Sequence, residues 1–154
     1  MSVLQKLIRL RKLIFLHVQH LPMPSRSWRP FFAKLGGVTI KDFKNTFIGE
    51  NVQFDTNYPE DIILERGVRV TIGSTIVSHF KNSQDGTYSR GKVHIGENTY
   101  LGCNTIVCQP VNIGRDVIIG AGSVVTKDIP DGEVWAGNPA RFIKKRNLEG
   151  NDKQ

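Results

Sequence analysis

The stretch IGENTYLGCNTIVCQPVNIGRDVIIGAGSVV, residues 95–125, decides the architecture. An aliphatic residue returns at every sixth position: Ile95, Leu101, Val107, Ile113, Ile119 and Val125. Four residues after each of the first five comes something small or branched: Thr99, Thr105, Val111, Val117 and Ser123. Glycine follows directly at Gly96, Gly102, Gly114 and Gly120. A period of six is neither the 3.6 of a helix nor the alternation of a strand. It fits a chain wrapped around a triangular prism, with one short strand per face and one corner per hexad.

The same count extends upstream. Ile48-Gly49-Glu50-Asn51-Val52-Gln53 is a hexad and Phe54 opens the next. After a break around Tyr58-Pro59-Glu60-Asp61 the period resumes at Leu64, Val70 and Ile76, with Val68 and Ser74 four later. The pair Ile72-Gly73 imitates the motif but falls on a corner, leaving Val70 to point inward. Residues 80–92 are polar, contain glycine and fit no hexad. They read as an exposed loop with a turn at Asp85-Gly86, and an insertion in a regular coil is where solenoids place chemistry. With three hexads to a coil, the repeats amount to about four or five coils.

The ends differ in character. Residues 2–19 read as an amphipathic helix, with Val3, Leu4, Leu7, Ile8, Ile14, Phe15 and Val18 opposite Gln5, Lys6, Arg9, Lys12 and Gln19. Leu21-Pro22-Met23-Pro24 breaks it. A second helix is expected to start near Ser25 or Ser27 and stop at Gly36-Gly37. The chain thus divides into a helical segment (1–37), a β-solenoid (38–140) carrying the 80–92 loop, and a basic tail (141–154). The first helix either caps the open end of the prism, packs on a neighbouring subunit, or lies on a membrane with its cations on anionic lipid.

A length of 154 residues suits one domain. The formal charge of +7 is uneven, with no Asp or Glu before Asp42. That balance suits an anionic partner, whether nucleotide phosphates, nucleic acid or an acidic membrane surface. Cys103 and Cys108 match no zinc spacing and are too few for a disulfide framework, so they read as reduced thiols of a cytoplasmic protein. Neither a secretory signal nor a membrane span is expected.

Two strings go beyond periodicity. Gly120-Ala121-Gly122-Ser123-Val124-Val125-Thr126-Lys127-Asp128-Ile129-Pro130, followed by Ala136-Gly137-Asn138-Pro139-Ala140-Arg141, closely resembles the ending of hexapeptide-repeat acetyltransferases. Upstream, Phe54-Asp55-Thr56-Asn57-Tyr58-Pro59-Glu60 and Ser78-His79 resemble the branch that often modifies sugars, alongside galactoside, maltose and serine acetyltransferases. The resemblance covers residues 48–144. It implies an all-β solenoid, a left-handed parallel β-helix with N-terminal α-helices. It further implies transfer of acetyl from acetyl-CoA to a hydroxyl or amine, without a metal, in a homotrimer whose sites lie between neighbouring prisms.

A thioester already carries a good leaving group, so the protein must supply a base for the acceptor and donors for the oxyanion. His79 comes after the inward Ile76, opens the irregular loop, and matches the family's catalytic histidine by resemblance. Asp55 matches a polar position that helps bind the acceptor in sugar-modifying relatives. It could bind the acceptor, orient the imidazole, or simply cap a corner. Asn57 and Glu60 fall on the acceptor side. For the donor, Gly102, Cys103, Gly120, Ala121 and Ser123 offer small side chains along which the CoA arm could reach backbone groups. The glycines also suit corners that favour left-handed φ. By resemblance, Cys103, Ala121, Thr126, Lys127, Arg141 and Lys144 contact CoA, the last with cations suited to phosphates.

His94 reads as a surface residue of the coil, and Trp28 and Trp135 as packing residues. His17, His20, His79 and His94 make a poor zinc set, which weighs against a γ-class carbonic anhydrase on the same fold. A non-catalytic scaffold would have no need of His79, the loop, Lys127 or Arg141. No nucleic-acid recognition motif occurs. The acceptor expected is a sugar of a surface polysaccharide or its lipid-linked precursor, with transfer occurring directly and without an acyl-enzyme. Serine-type and antibiotic acetylation remain the alternatives on this fold.

Overall fold

The six-residue period fixes which side chains face inward, and the computed structural model, which describes residues 3–18, 21, 28–82 and 85–147, is built on it. The first coil supplies β1 (Thr39–Ile40), β2 (Phe47–Ile48) and β3 (Gln53–Phe54). The second supplies β4 (Ile62–Leu64), β5 (Arg69–Val70) and β6 (Thr75–Ile76). A hairpin of β7 (His79–Lys81) and β8 (Tyr88–Arg90) follows. The third coil holds β9 (Val93–Ile95), β10 (Tyr100–Leu101) and β11 (Ile106–Val107). The fourth holds β12 (Val111–Ile113), β13 (Ile118–Ile119) and β14 (Val124–Val125). The chain closes with β15 (Glu133–Ala136) and β16 (Arg141–Lys145).

Stacked in parallel, these strands form three faces. The first is β1-β4-β9-β12, the second β2-β5-β10-β13-β15 and the third β3-β6-β11-β14. Ile95, Leu101, Val107, Ile113 and Ile119 are fully buried, and so are Thr99, Thr105, Val117 and Ser123 at the companion positions. The inward hydroxyls satisfy corner carbonyls: Thr99 donates to Gly114 O at 2.7 Å and Thr105 to Gly102 O at 2.7 Å. A buried hydroxyl is tolerated because each has such a partner. Ile72 is exposed on a corner while Val70 is buried.

The corner glycines have a different cause from the one expected. Gly96, Gly102, Gly114 and Gly120 do not carry the left-handed φ; Asn98 (56°), Asn104 (56°), Asp116 (55°) and Gly122 (68°) do, two residues further on. Glycine is needed after the aliphatic because coils stack too closely there. A Cβ on Gly96 would lie 2.6 Å from the Gly114 carbonyl carbon, and one on Gly102 2.6 Å from the Ala121 nitrogen.

Insertions are absorbed at corners. Tyr100 pairs with Ile118, three hexads apart, but Thr75 pairs with Ile106, a separation longer by the thirteen residues of 80–92. That loop is therefore a paired hairpin, with its turn near Gly86, leaving the coils above and below in register. A 3-10 turn, Pro59–Asp61, marks the earlier break.

Helices α1 (Val3–Val18) and α2 (Trp28–Leu35) close the first-coil end. Ala33 is buried against the prism, and Val38 N–H donates to its carbonyl at 3.1 Å. α1 docks through its last turns: Phe15 stacks on Phe32 and Leu16 is buried against Gly36. Its first turns, with Val3, Leu4 and Leu7, are exposed. The breaker 22–24, Ser25, Ser27 and the end of the tail beyond 147 lie outside the described residues. Arg141–Lys145, read as the start of a basic tail, is instead a strand antiparallel to β15.

Candidate active site

Corner geometry brings Asp55 and His79 together. Asp55 follows β3, His79 opens β7 after β6, and β3 lies directly beside β6 with Phe54 opposite Ile76. The Asp55 Oδ2 is 2.5 Å from His79 Nδ1. The carboxylate is also held by Ser78 N–H (3.1 Å), Ser78 Oγ (2.9 Å), Asn57 N–H (2.9 Å) and Tyr58 N–H (3.2 Å). Both oxygens are thus occupied by protein donors, which favours an orienting role over acceptor binding. Burial pushes the Asp55 carboxyl up, but the hydrogen bonds from His79, Ser78 and the Tyr58 and Ser78 backbone outweigh it and hold it below the usual carboxylate range.

An ionised carboxylate can only accept, so Nδ1 of a neutral His79 carries the proton and Nε2 keeps the lone pair. The imidazole is 26% exposed, whereas the Asp55 carboxylate is 1% exposed, so the ring alone reaches solvent. It opens on a cavity of about 460 Å³ lined by Asn57, Tyr58, Tyr88, Ser89 and Arg90. Tyr58 meets the imidazole edge-on at 5.4 Å, and the Arg90 guanidinium lies 4.0 Å over the Tyr58 ring. Arg90 in turn binds Asp61 and, at 3.4 Å, Glu60. The hairpin is thereby anchored to the 3-10 turn.

Sequence reasoning singled out neither Tyr58 nor the hairpin residues Tyr88 and Arg90. Aromatic and cationic residues closing a polar loop beside a histidine were the available signal. Asn57 lines the cavity. Glu60 does not; it pairs with Lys12 at 2.6 Å and with Arg90.

The residues expected for the donor divide between two edges. Gly102, Cys103, Gly120 and Ala121 lie on the edge joining second and third faces, where Gly122 N–H donates to Cys103 O at 2.8 Å. Arg141, opposite Ala136 in the closing pair, continues this edge. Ser123 is not part of the open edge. It is buried, donates to Gly120 O at 2.6 Å and accepts from Gly137 N–H at 3.1 Å. Thr126 and Lys127 follow β14 and share the edge of Asp55 and His79. Lys127 Nζ sits 5.0 Å over the ring of Trp135, which is buried at the end of the prism. Lys144 is exposed on β16. His94 bonds Asn112 (2.8 Å) and Glu65 (3.1 Å) on the first face, a structural role. Among the described residues no group of His, Cys, Asp or Glu could hold a metal ion.

Comparison with known proteins agrees with this architecture. The family model of the bacterial transferase hexapeptide (six repeats) matches residues 92–127. The chain is 34% identical over 132 residues to galactoside O-acetyltransferase of Lactococcus lactis, across 77% of this chain and 58% of that protein. It therefore spans less than two thirds of that relative's length. Among solved structures, a maltose O-acetyltransferase from Clostridium difficile superposes with a TM-score of 0.65 and 25% identity, covering 95% of this chain and 90% of the other. A galactoside acetyltransferase in complex with coenzyme A gives 0.66 and 26%, covering 97% and 86%. The fold is the left-handed parallel β-helix of these proteins, with helices at its N-terminus.

Proposed function

Because the chain belongs to the hexapeptide-repeat acetyltransferases, we propose that it moves an acetyl group from acetyl-CoA to a sugar hydroxyl, with His79 as general base. The single observation carrying this reading is the His79–Asp55 pair, 2.5 Å apart, whose imidazole lines a polar, aromatic-walled cavity. Nε2 takes the acceptor's hydroxyl proton as that oxygen attacks the thioester carbonyl, then returns it to the departing CoA thiolate. Asp55 holds the ring in this tautomer and stabilises the transient imidazolium. No acyl-enzyme is needed.

The acceptor enters through the His79 cavity, with Asn57 and Tyr58 on its wall. The CoA arm lies along an edge of small residues, Gly102, Cys103, Gly120 and Ala121, and Arg141, Lys127 and Lys144 meet its phosphates, with Thr126 adding a hydroxyl. His79 and that small-residue edge occupy different corners of one prism. A site holding both therefore needs two chains, which supports a cyclic homotrimer with sites between protomers. The sugar is a unit of a surface polysaccharide or its lipid-linked precursor, modified in the cytoplasm. The exposed apolar and basic first turns of α1 support a peripheral contact with anionic membrane. Among the described residues no helix is long and apolar enough to cross one.

The test is release of thiol from acetyl-CoA across a panel of sugars, with His79→Ala beside the parent chain. Turnover lost with CoA binding retained supports the assignment. Full activity in His79→Ala would refute it.

A further inference from the structure

A second cavity, about 270 Å³, adjoins the first. Gln5, Ile8, Arg9 and Lys12 of α1 form one wall, and Thr56, Asn57 and Tyr58 form the other. Asn57 and Tyr58 line both cavities, so the two meet around that dipeptide. Its lining holds two cations, Arg9 and Lys12, and no acid. Lys12 is engaged, bonding Glu60 at 2.6 Å and Asn57 O at 3.4 Å. Arg9 has no hydrogen bond or ion pair among the described residues. Acetyl transfer at His79 makes no use of it.

A guanidinium with no partner among the described residues, beside the ammonium of Lys12 that Glu60 already pairs, offers its fork to the oxygens of a phosphate group. Lys6 and Arg11 on the same helix add to the attraction, and no acid precedes Asp42 in the chain. We infer that Arg9 and Lys12 form a subsite for a diphosphate carried by the acceptor, so that the substrate is a sugar linked to diphosphate. The inference rests on the reading of the His79 cavity as the acceptor site. The sugar occupies that cavity while its diphosphate crosses Asn57 and Tyr58 to reach Arg9. A nucleoside diphosphate sugar and an isoprenoid diphosphate-linked sugar present the same chemistry to this wall.

The experiment follows thiol release by the full chain with matched acceptors in galactose and glucose series. Each series comprises the methyl glycoside, the uridine diphosphate sugar and the farnesyl diphosphate-linked sugar. At least one diphosphate form is expected to show a KM ~10-fold or more below the methyl glycoside, the scale of one charge-assisted contact. Arg9→Ala should raise that KM by ~10-fold while leaving kcat and the methyl glycoside reaction unchanged, and Arg9→Lys should recover part of the loss. Whichever diphosphate form is preferred identifies the source. An unchanged diphosphate KM in Arg9→Ala overturns the subsite, as does a rise in the acetyl-CoA KM instead. Turnover of methyl glycosides alone overturns it while leaving acetyl transfer standing. No thiol release from any acceptor overturns both readings together.

Discussion

His79 and Asp55 stand 24 positions apart in the chain and 2.5 Å apart in space, Nδ1 against Oδ2. The contact exists because Asp55 leaves β3 at the same level at which Ser78 and His79 leave β6. Removing either partner should therefore act differently on chemistry and on fold. His79→Ala is expected to lower kcat by ~10²–10⁴-fold, the usual contribution of a general base, with little change in melting temperature. Asp55→Asn should lower kcat by ~10²-fold or more, because an amide cannot hold the imidazolium as a carboxylate does. Asp55→Ala should also destabilise the corner by about 2–4 kcal/mol, since it strands donors on Asn57, Tyr58 and Ser78. Steady-state kinetics and urea unfolding separate the two effects.

Acid should unfold the protein partly through Asp55. Its carboxyl titrates lower in the folded chain than in the unfolded one, so between those two values the unfolded chain binds more protons. The stabilisation is complete above about pH 4, the ordinary carboxylate value, and is lost as pH falls through the folded value. Asp42, Asp85 and Asp131 shift in the same direction but are exposed, so solvent screening makes each count for less. Urea midpoints measured from pH 7 downward should fall, and Asp55→Asn should flatten that fall.

A site shared between chains can be tested by complementation. Cys103→Trp should block the small-residue edge and His79→Ala should remove the base, so each variant alone is inactive. Co-refolded in equal amounts, they should recover about a quarter of parental activity, the chance that an intact His79 faces an intact edge. A mixture as inactive as its components would place the whole site within one chain.

Close stacking of coils predicts an asymmetry at the corners. Gly102→Ala should cost about 1–3 kcal/mol, because its Cβ meets the backbone of Ala121 at 2.6 Å, where nothing flexible can move aside. Asn104→Gly, at a φ of 56°, should change stability by less than about 1 kcal/mol. Thermal unfolding of the two variants checks the contrast.

The two halves of α1 should also respond differently. Leu16→Ala should destabilise by about 2–5 kcal/mol, since Leu16 is buried against Gly36. Leu4→Asp with Leu7→Asp, on the exposed first turns, should leave the melting temperature unchanged and abolish sedimentation with anionic vesicles. No sedimentation of the parent chain would dismiss the membrane contact.

The six-residue period determined the prism and its inward positions from residues 95–125, and from Leu64, Val70 and Ile76 it exposed the decoy at Ile72-Gly73, because such a period is a local property read without knowing what lies beside it. Tertiary structure decided everything that depends on the offset between coils. The 3-10 turn and the hairpin stretch that offset by amounts no hexad encodes, and only the stacked strands show Asp55 beneath Ser78. The same stacking shows why Gly102 must be glycine and makes a strand of Arg141–Lys145 where charge alone suggested a tail. Periodicity is written along one chain segment. Contact across coils is written in the register between segments, and that register forms only when the chain closes on itself.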